Sequence, residues 1–103
     1  MANVRVLTAQ RNRLRWMEMV LDILIEHGEL TRHKVHHYFP EHYGARTSLV
    51  RLYKLGVLCR SDHATPLYRI KNSFAAFNCF YNISVEIDAI DEAIENHKKR
   101  EVS

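Results

Sequence analysis

Apolar residues recur at helical spacing in the first third of the chain and predict a long N-terminal helix. Thr8 belongs to the residue types that cap helices, and Gly28 to those that end them, so the predicted helix runs from about Ala9 to His27. Two apolar stripes lie side by side along it, one formed by Leu14, Met17, Leu21 and Leu24, the other by Trp16, Val20 and Ile23. We therefore expect other elements to cover this helix on more than one side.

Shorter elements are predicted next. Leu30 is expected in a minor strand, and Thr31 is expected to cap a second helix from Arg32 to Phe39. Pro40 ends that helix because it has no backbone N–H and clashes with the preceding turn. The pattern therefore predicts a turn over residues 40–44.

A third helix and a hairpin are predicted after this turn. The helix runs from about Ala45 to Leu55, buries Ala45, Leu49 and Leu52, and stops at Gly56. The runs VLCRS and PLYRIK have strand character, and SDHATP between them supplies turn residues. These two runs are predicted to form a β-hairpin.

The last part of the chain, from Asn72 to about Arg100, predicts one long helix with Ser73 as its N-cap, because it contains no glycine or proline. Its apolar positions follow a heptad-like 4-3-4-3-4-3 spacing, and the seam they form consists of Ala76, Phe80, Ile83, Ile87, Ile90, Ile94 and His97. An apolar seam of this length needs a partner. We expect a second copy of the chain to supply it, with an interface formed by Phe80, Ile83, Ile87, Ile90 and Ile94. The alternative is that the seam folds back on the Trp16 stripe of the first helix.

The order helix, turn, helix and hairpin resembles the winged helix-turn-helix superfamily of bacterial and phage transcription regulators, which includes the MarR, PadR and ArsR families. The resemblance covers about residues 12–71 and rests on LTRHKVHHYF, SLVRLYKLGVL and the LCRSD…LYRI hairpin. It implies a DNA-binding domain over residues 1–71, with helix 45–55 in the major groove and the hairpin as the wing. The expected fold is therefore mainly α with a small β-hairpin wing, followed by a dimerisation helix over residues 72–103.

The side chains of the third helix suit DNA contact. Arg46, Thr47, Arg51 and Lys54 are predicted to face outward, with Ser48 at the boundary. Arginine can bond two acceptors on guanine, and threonine can contact a base through its hydroxyl or methyl group. Further predicted DNA contacts lie before this helix, in the second helix and in the wing, namely Tyr43, Arg32, Lys34, Arg60, His63 and Arg69. The alternative for each of them is an ordinary solvated surface residue.

Charge is unevenly distributed along the chain. Residues 1–71 hold twelve Lys and Arg against six Asp and Glu, whereas residues 72–103 hold three against six. A basic body with an acidic tail indicates that one part meets a polyanion. We therefore expect a homodimeric repressor that binds double-stranded DNA. The alternative is an adaptor or inhibitor that uses the same fold to bind another protein.

Other classes of function find little support in the sequence. No glycine-rich phosphate loop or nucleophile motif is present, so we do not expect an enzyme. His33 and His37 are spaced to share a metal, but a site would need one or two further ligands, for which Cys59 and Asp62 are possible without being required by their positions. Surface or half-buried histidines are the preferred interpretation, and no cofactor is expected. The two cysteines form no CxxC motif, and no signal core or apolar run of about 18 residues occurs, which favours a cytoplasmic protein without membrane contact. The tail aromatics Phe74, Phe77, Phe80 and Tyr81 are expected in the core rather than around a ligand pocket.

Overall fold

The computed structural model describes residues 3–40, 44–62 and 64–102, and side chains as far as residue 100. The protein is mainly helical, with a small antiparallel sheet. Its elements follow in the order α1 (Val4–His27), β1 (Glu29–Thr31), α2 (Arg32–Tyr38), α3 (Gly44–Lys54), β2 (Leu58–Arg60), β3 (Leu67–Ile70) and α4 (Ser73–Val102).

The first helix begins five residues earlier than predicted. Asn3 is its N-cap, and the Asn3 side-chain oxygen accepts a hydrogen bond of 3.0 Å from the backbone N–H of Val6. Thr8 lies inside the helix instead, where its hydroxyl donates to the carbonyl oxygen of Val4 at 2.7 Å. The predicted end is confirmed, because Gly28 has a φ of 84° and its N–H donates to the Leu24 carbonyl.

The three strands form one antiparallel sheet in the order β1-β3-β2, so the minor strand and the hairpin are both confirmed. Tyr68 stands opposite Leu30 on one side and opposite Arg60 on the other. Side chains alternate between the faces of a strand, so these three residues share a face. Tyr68, Leu30 and Leu58 are buried, which shows that this face of the sheet packs on the helices.

The two middle helices form much as predicted. Thr31 caps α2 by accepting a hydrogen bond from the Lys34 N–H at 3.1 Å, and Val35 is the buried residue of that helix. Helix α3 begins at Gly44 and buries Ala45, Leu49 and Leu52, as expected. One continuous core joins α1, α2, α3, the sheet and α4.

Helix α4 lies antiparallel against α1 of the same chain. Ser84 of α4 donates a hydrogen bond of 3.0 Å to Glu18 of α1. Asp91, seven residues further along α4, forms an ion pair of 2.5 Å with Arg11, which lies seven residues before Glu18 in α1. Leu14, midway between Glu18 and Arg11, lies on the side that faces α4 and lines grooves together with it. The Trp16 stripe is turned elsewhere, so α4 covers the first apolar stripe of α1 rather than the second.

This packing corrects the predicted dimer interface. Ile83 and Ile87 are buried within the single chain, because α1 already covers the heptad seam. They are therefore not available to a second copy. Phe80, Ile90 and Ile94 are half-buried on the same side of α4, and their contact with a second copy stays a prediction. The boundary predicted between the DNA-binding domain and the dimerisation helix, at residues 71 and 72, falls between β3 and α4. Helix α4 nevertheless shares one hydrophobic core with the rest of the chain.

Two further expectations about α4 are corrected. The Asn72 side-chain oxygen accepts hydrogen bonds from the backbone N–H groups of Phe74 and Ala75, at 2.8 and 3.3 Å. Asn72 rather than Ser73 therefore caps the helix. Among the tail aromatics, Phe80 packs against the core, whereas Phe74, Phe77 and Tyr81 are exposed. The core interpretation was therefore wrong for these three residues, because they lie on the side of α4 turned away from α1.

Candidate nucleic-acid interface

The start of α3 is held against α1 by a close contact with a tryptophan. A Cβ atom at Gly44 would lie 3.0 Å from the Cδ1 atom of Trp16, so the glycine permits an approach that a larger residue would hinder. The Trp16 ring in turn meets Phe39 edge to face at a centroid distance of 5.4 Å. Trp16, from the second apolar stripe of α1, therefore packs against the start of α3.

Fixed in this way, α3 exposes a basic face. Thr47 and Lys54 are exposed seven residues apart on one side of the helix, opposite the buried residues. Arg46 and Arg51 flank them and are half-buried. The helix contains no acidic residue, so no carboxylate within it neutralises its three cations. The exposure of these four side chains agrees with the outward orientation predicted for them.

Ser48 is a correction to the predicted interface. The residue is fully buried, and its hydroxyl donates to the carbonyl oxygen of Gly44 at 2.8 Å. Three and four residues separate it from Ala45 and Leu52, which places it on the core side of α3. Ser48 therefore cannot contact DNA without unfolding this part of the helix.

The two arginines of α3 occupy different surroundings. Arg51 borders a groove of about 340 Å³ between α1 and α4, where Arg13 and Glu86 also lie. Arg46 lies on the other side of the outer face, and its Nε atom is shielded from solvent without a hydrogen-bond partner among the described residues. Their half-burial restricts the rotamers of both side chains, whereas Lys54 is free to move in solvent.

The hairpin adds a fixed cation beside α3. The Arg60 guanidinium lies 4.5 Å above the ring centre of Tyr53, and that ring meets Tyr68 edge to face at 6.2 Å. A side-chain hydrogen bond with Tyr68 raises the pKa of Arg60, so the group stays positive. Since Tyr53 precedes Lys54 in α3, Arg60 extends the basic surface toward the C-terminal end of that helix. The sequence predicted the cation but not the two tyrosines that hold it.

Arg69 points the other way. It stands opposite Glu29 in the β1–β3 pair, and its Nε and Nη2 atoms both lie 3.0 Å from the same Glu29 carboxylate oxygen. Side chains alternate along β3, so Arg69 lies on the sheet face opposite that of Tyr68 and Arg60. The structure therefore separates Arg69 from the α3 surface, which corrects its grouping with Arg60.

The remaining predicted contacts are less concentrated. Arg32 and Lys34 are exposed in the first turn of α2, but two residues apart on a helix they point to different sides. Tyr43 and His63 lie outside the described residues. The basic surface that the structure brings together consists of Arg46, Thr47, Arg51, Lys54 and Arg60.

Other site chemistry is sparse in the described part of the chain. Within residues 3–40, 44–62 and 64–102, no group of three His, Cys, Asp or Glu side chains is arranged to hold a metal ion. Burial raises the pKa of the Cys79 thiol. None of the described helices is both long and apolar enough to cross a bilayer.

A comparison with protein-family models, curated proteins and solved structures finds no match to this chain.

Proposed function

We propose that this chain is a winged helix-turn-helix protein that binds double-stranded DNA through α3 and regulates transcription. The observation that carries the proposal is the outer face of α3, where Arg46, Arg51 and Lys54 lie near Thr47 and the helix contains no acidic residue. Arg60 of the hairpin lies over Tyr53 and extends this basic surface. A surface of this composition attracts a polyanion and offers donors to base edges.

The order of the elements supports the proposed fold class. Helix, strand, two helices and a hairpin follow one another, and the first strand joins the hairpin in a three-stranded sheet. This is the arrangement expected of a winged helix, with α2 and α3 as the helix-turn-helix and β2–β3 as the wing. The wing then lies beside α3 and carries Arg60 on the side facing that helix.

The dimensions of α3 suit the major groove. A helix with its side chains is about 10–12 Å across, which matches the width of about 12 Å of the major groove of B-DNA. The eleven residues of α3 extend about 16 Å along the groove. In this arrangement Arg46 and Thr47 lie in the N-terminal half of α3 and read base edges. Lys54 and Arg60 lie at the other end and contact phosphates, which position the helix but carry no sequence information.

Repression by occupying a promoter is the simplest mechanism for this geometry. Binding of α3 in the major groove of a promoter excludes other proteins from the same groove, and no second activity is required. The chemistry of the proposal is therefore binding, without a catalytic step.

The proposal is tested by reversing charge where α3 is most exposed. Thr47→Glu with Lys54→Glu changes the net charge by −3 at exposed positions, so the fold should survive. We expect affinity for a mixed-sequence DNA duplex to fall at least about 30-fold at low salt, because attraction becomes repulsion at the contact face. The measurement is fluorescence anisotropy, with helicity checked by circular dichroism.

A matched control carries the same charge change elsewhere. Asn96→Glu with Lys98→Glu also changes the charge by −3, at exposed positions near the far end of α4. We expect this variant to lose less than about 5-fold in affinity, through the long-range field alone. Equal losses in both variants would show that only net charge matters and would overturn the proposed α3 interface.

A second candidate function is an adaptor that binds a different protein. The observation that favours it is the exposed aromatic row on α4, since large exposed apolar patches mark interaction sites. Wild-type protein that fails to bind DNA while both variants keep its activity in cells would favour the adaptor.

A further inference from the structure

Four apolar residues form an uncovered row along the first half of α4. Phe74, Phe77, Tyr81 and Val85 are 80%, 60%, 67% and 49% exposed. Their spacing of 3-4-4 places them on one side of the helix. At 100° per residue that side lies roughly opposite the buried seam of Ala76, Ile83 and Ile87. We call these four residues the outer stripe of α4.

The outer stripe is large enough to matter energetically. An aromatic side chain offers about 150–250 Å² for burial, so the exposed fractions of the four residues amount to roughly 450 Å². Contiguous apolar patches of about 300–600 Å² are at the upper end for a soluble monomer and are often interaction sites. We therefore expect a partner surface to cover the outer stripe.

The charges around the stripe indicate what that partner is. Between Lys71 and Glu86 the chain has no Asp, Glu, Lys or Arg, so the stripe lies in an uncharged segment of fourteen residues. Beyond Val85 the same side of α4 continues as Asp88 and Glu92. The outer stripe therefore has Lys71 at its N-terminal end and the acidic residues Asp88 and Glu92 at its C-terminal end.

We propose that a second copy of this chain covers the outer stripe, with the two α4 helices antiparallel about a two-fold axis between residues 79 and 80. In this arrangement Phe74 of one copy faces Val85 of the other, and Phe77 lies beside Tyr81. A two-fold interface must be self-complementary, and pairing a large residue with a small one satisfies that requirement.

Antiparallel pairing also makes the charges complementary. Asp88 of one copy then lies beside Lys71 and the N-terminus of α4 in the other, where the helix dipole favours an anion. Parallel pairing would instead set Asp88 and Glu92 against the same residues of the second copy. Charge therefore selects the antiparallel second copy as the occupant.

The area is consistent with a stable dimer. A standard interface buries about 800 Å² per partner. The outer stripe supplies roughly 450 Å² of this, and exposed neighbours such as Asn78 and Asn82 lie on its flank. This interface leaves the buried seam against α1 undisturbed. The inference goes beyond the proposed function and does not depend on it, because oligomeric state is measured without DNA.

Sedimentation velocity of the full-length chain over a range of concentrations tests the proposal. We expect a monomer–dimer equilibrium in the wild type. Phe77→Glu with Tyr81→Glu should raise the dissociation constant at least about 100-fold, because each copy then places two carboxylates in an apolar interface. Unchanged helicity and cooperative unfolding would show that this variant is folded.

The control variant is Val6→Glu, which alters an exposed apolar residue on α1 instead. It should dimerise like the wild type. A wild-type protein that stays monomeric at the highest concentration would overturn the proposal, even if it binds DNA. A folded stripe variant that still dimerises would overturn it as well.

Cysteine cross-linking tests the orientation of the two helices. In a Cys59→Ser, Cys79→Ala background, Asn78→Cys places the two introduced thiols about three residues, or 4.5 Å, apart along the paired helices. Asp88→Cys places them about 25 Å apart in the same arrangement. We expect disulfide-linked dimers from Asn78→Cys alone. Efficient cross-linking through Asp88→Cys would indicate parallel pairing and contradict the proposal.

Discussion

Truncating Ile87 tests whether the seam of α4 is core within one chain. The Ile87 side chain is only 5% exposed and packs between α4 and α1. Replacing a buried isoleucine by alanine costs about 2–5 kcal/mol, because apolar contacts are lost and a cavity remains. Alanine returns about 0.4 kcal/mol through its higher helix propensity. We therefore expect Ile87→Ala to lower the free energy of unfolding by about 1.5–4.5 kcal/mol.

The assay is urea unfolding followed by circular dichroism. The Phe77→Glu, Tyr81→Glu background is the appropriate one, because unfolding there is expected to be unimolecular. A loss of this size corresponds to a fall of about 7–20 °C in melting temperature for a domain of about 100 residues. Val6→Ala serves as the control, and its exposed position should change stability by less than about 0.5 kcal/mol.

Two results would refute this reasoning. A loss below about 1 kcal/mol would show that Ile87 is not in a packed core, since exposed positions give losses of that size. A transition midpoint that rises with protein concentration in the stripe background would show that the seam itself holds two chains together. In that case α1 and α4 do not pack as described.

Two further predictions concern the arginines of the sheet and the half-buried thiol of Cys79. Arg60→Ala should weaken DNA binding about 5- to 10-fold and reduce the slope of log affinity against log salt by about 0.9. Arg69→Ala should change the affinity less than about 2-fold, because that arginine faces away from α3 and pairs with Glu29. Equal effects of the two substitutions in anisotropy titrations would refute the division of the two sheet faces. Burial raises the pKa of Cys79 above its ordinary value of 9.0, so the neutral thiol stabilises the fold below that pH, and this contribution is lost as the pH rises through the raised pKa. Cys79→Ala should therefore make the fall of the urea midpoint at alkaline pH shallower. An unchanged pH profile of the urea midpoint would contradict the burial of this thiol.

Local signals in the sequence were sufficient to predict most elements. Gly28 and Thr31 end and begin helices through contacts with their own neighbours in the chain, so their roles follow from residue type and position. The start of α1 was missed because Asn3 and Thr8 are both good caps. Thr8 can also bond the carbonyl four residues back within a helix, and local pattern alone does not distinguish these uses.

Contacts between distant segments were not predictable in the same way. The heptad spacing of α4 indicates that Ile83 and Ile87 need a partner. It does not show whether that partner is α1 or a second chain, because the spacing is the same in both cases. Ser48 is predicted at the boundary of the outer face, but it is fully buried, and its hydroxyl is satisfied by a carbonyl of its own helix. The division of Arg60 from Arg69 depends on strand register, which the hairpin sequence alone left open.

The helical spacing of Phe74, Phe77 and Tyr81 predicts a second apolar stripe on α4. That spacing alone does not show whether the stripe is buried. The seam of the same helix already occupied its buried side, so a second stripe at a different angle had to lie elsewhere. At 100° per residue, the two stripes lie on different sides of the helix and cannot face the same neighbour.

The measurement that tests the central claim most directly is selection of bound sequences from a pool of random duplex DNA. If α3 reads base edges, the wild-type protein should enrich a defined motif, and the Thr47→Glu, Lys54→Glu variant should not. Affinity for the motif should also fall steeply as salt rises, with a slope near −0.9 for each phosphate contact. Binding that enriches no motif, or no binding at all, would contradict the claim that this surface is a sequence-reading DNA interface.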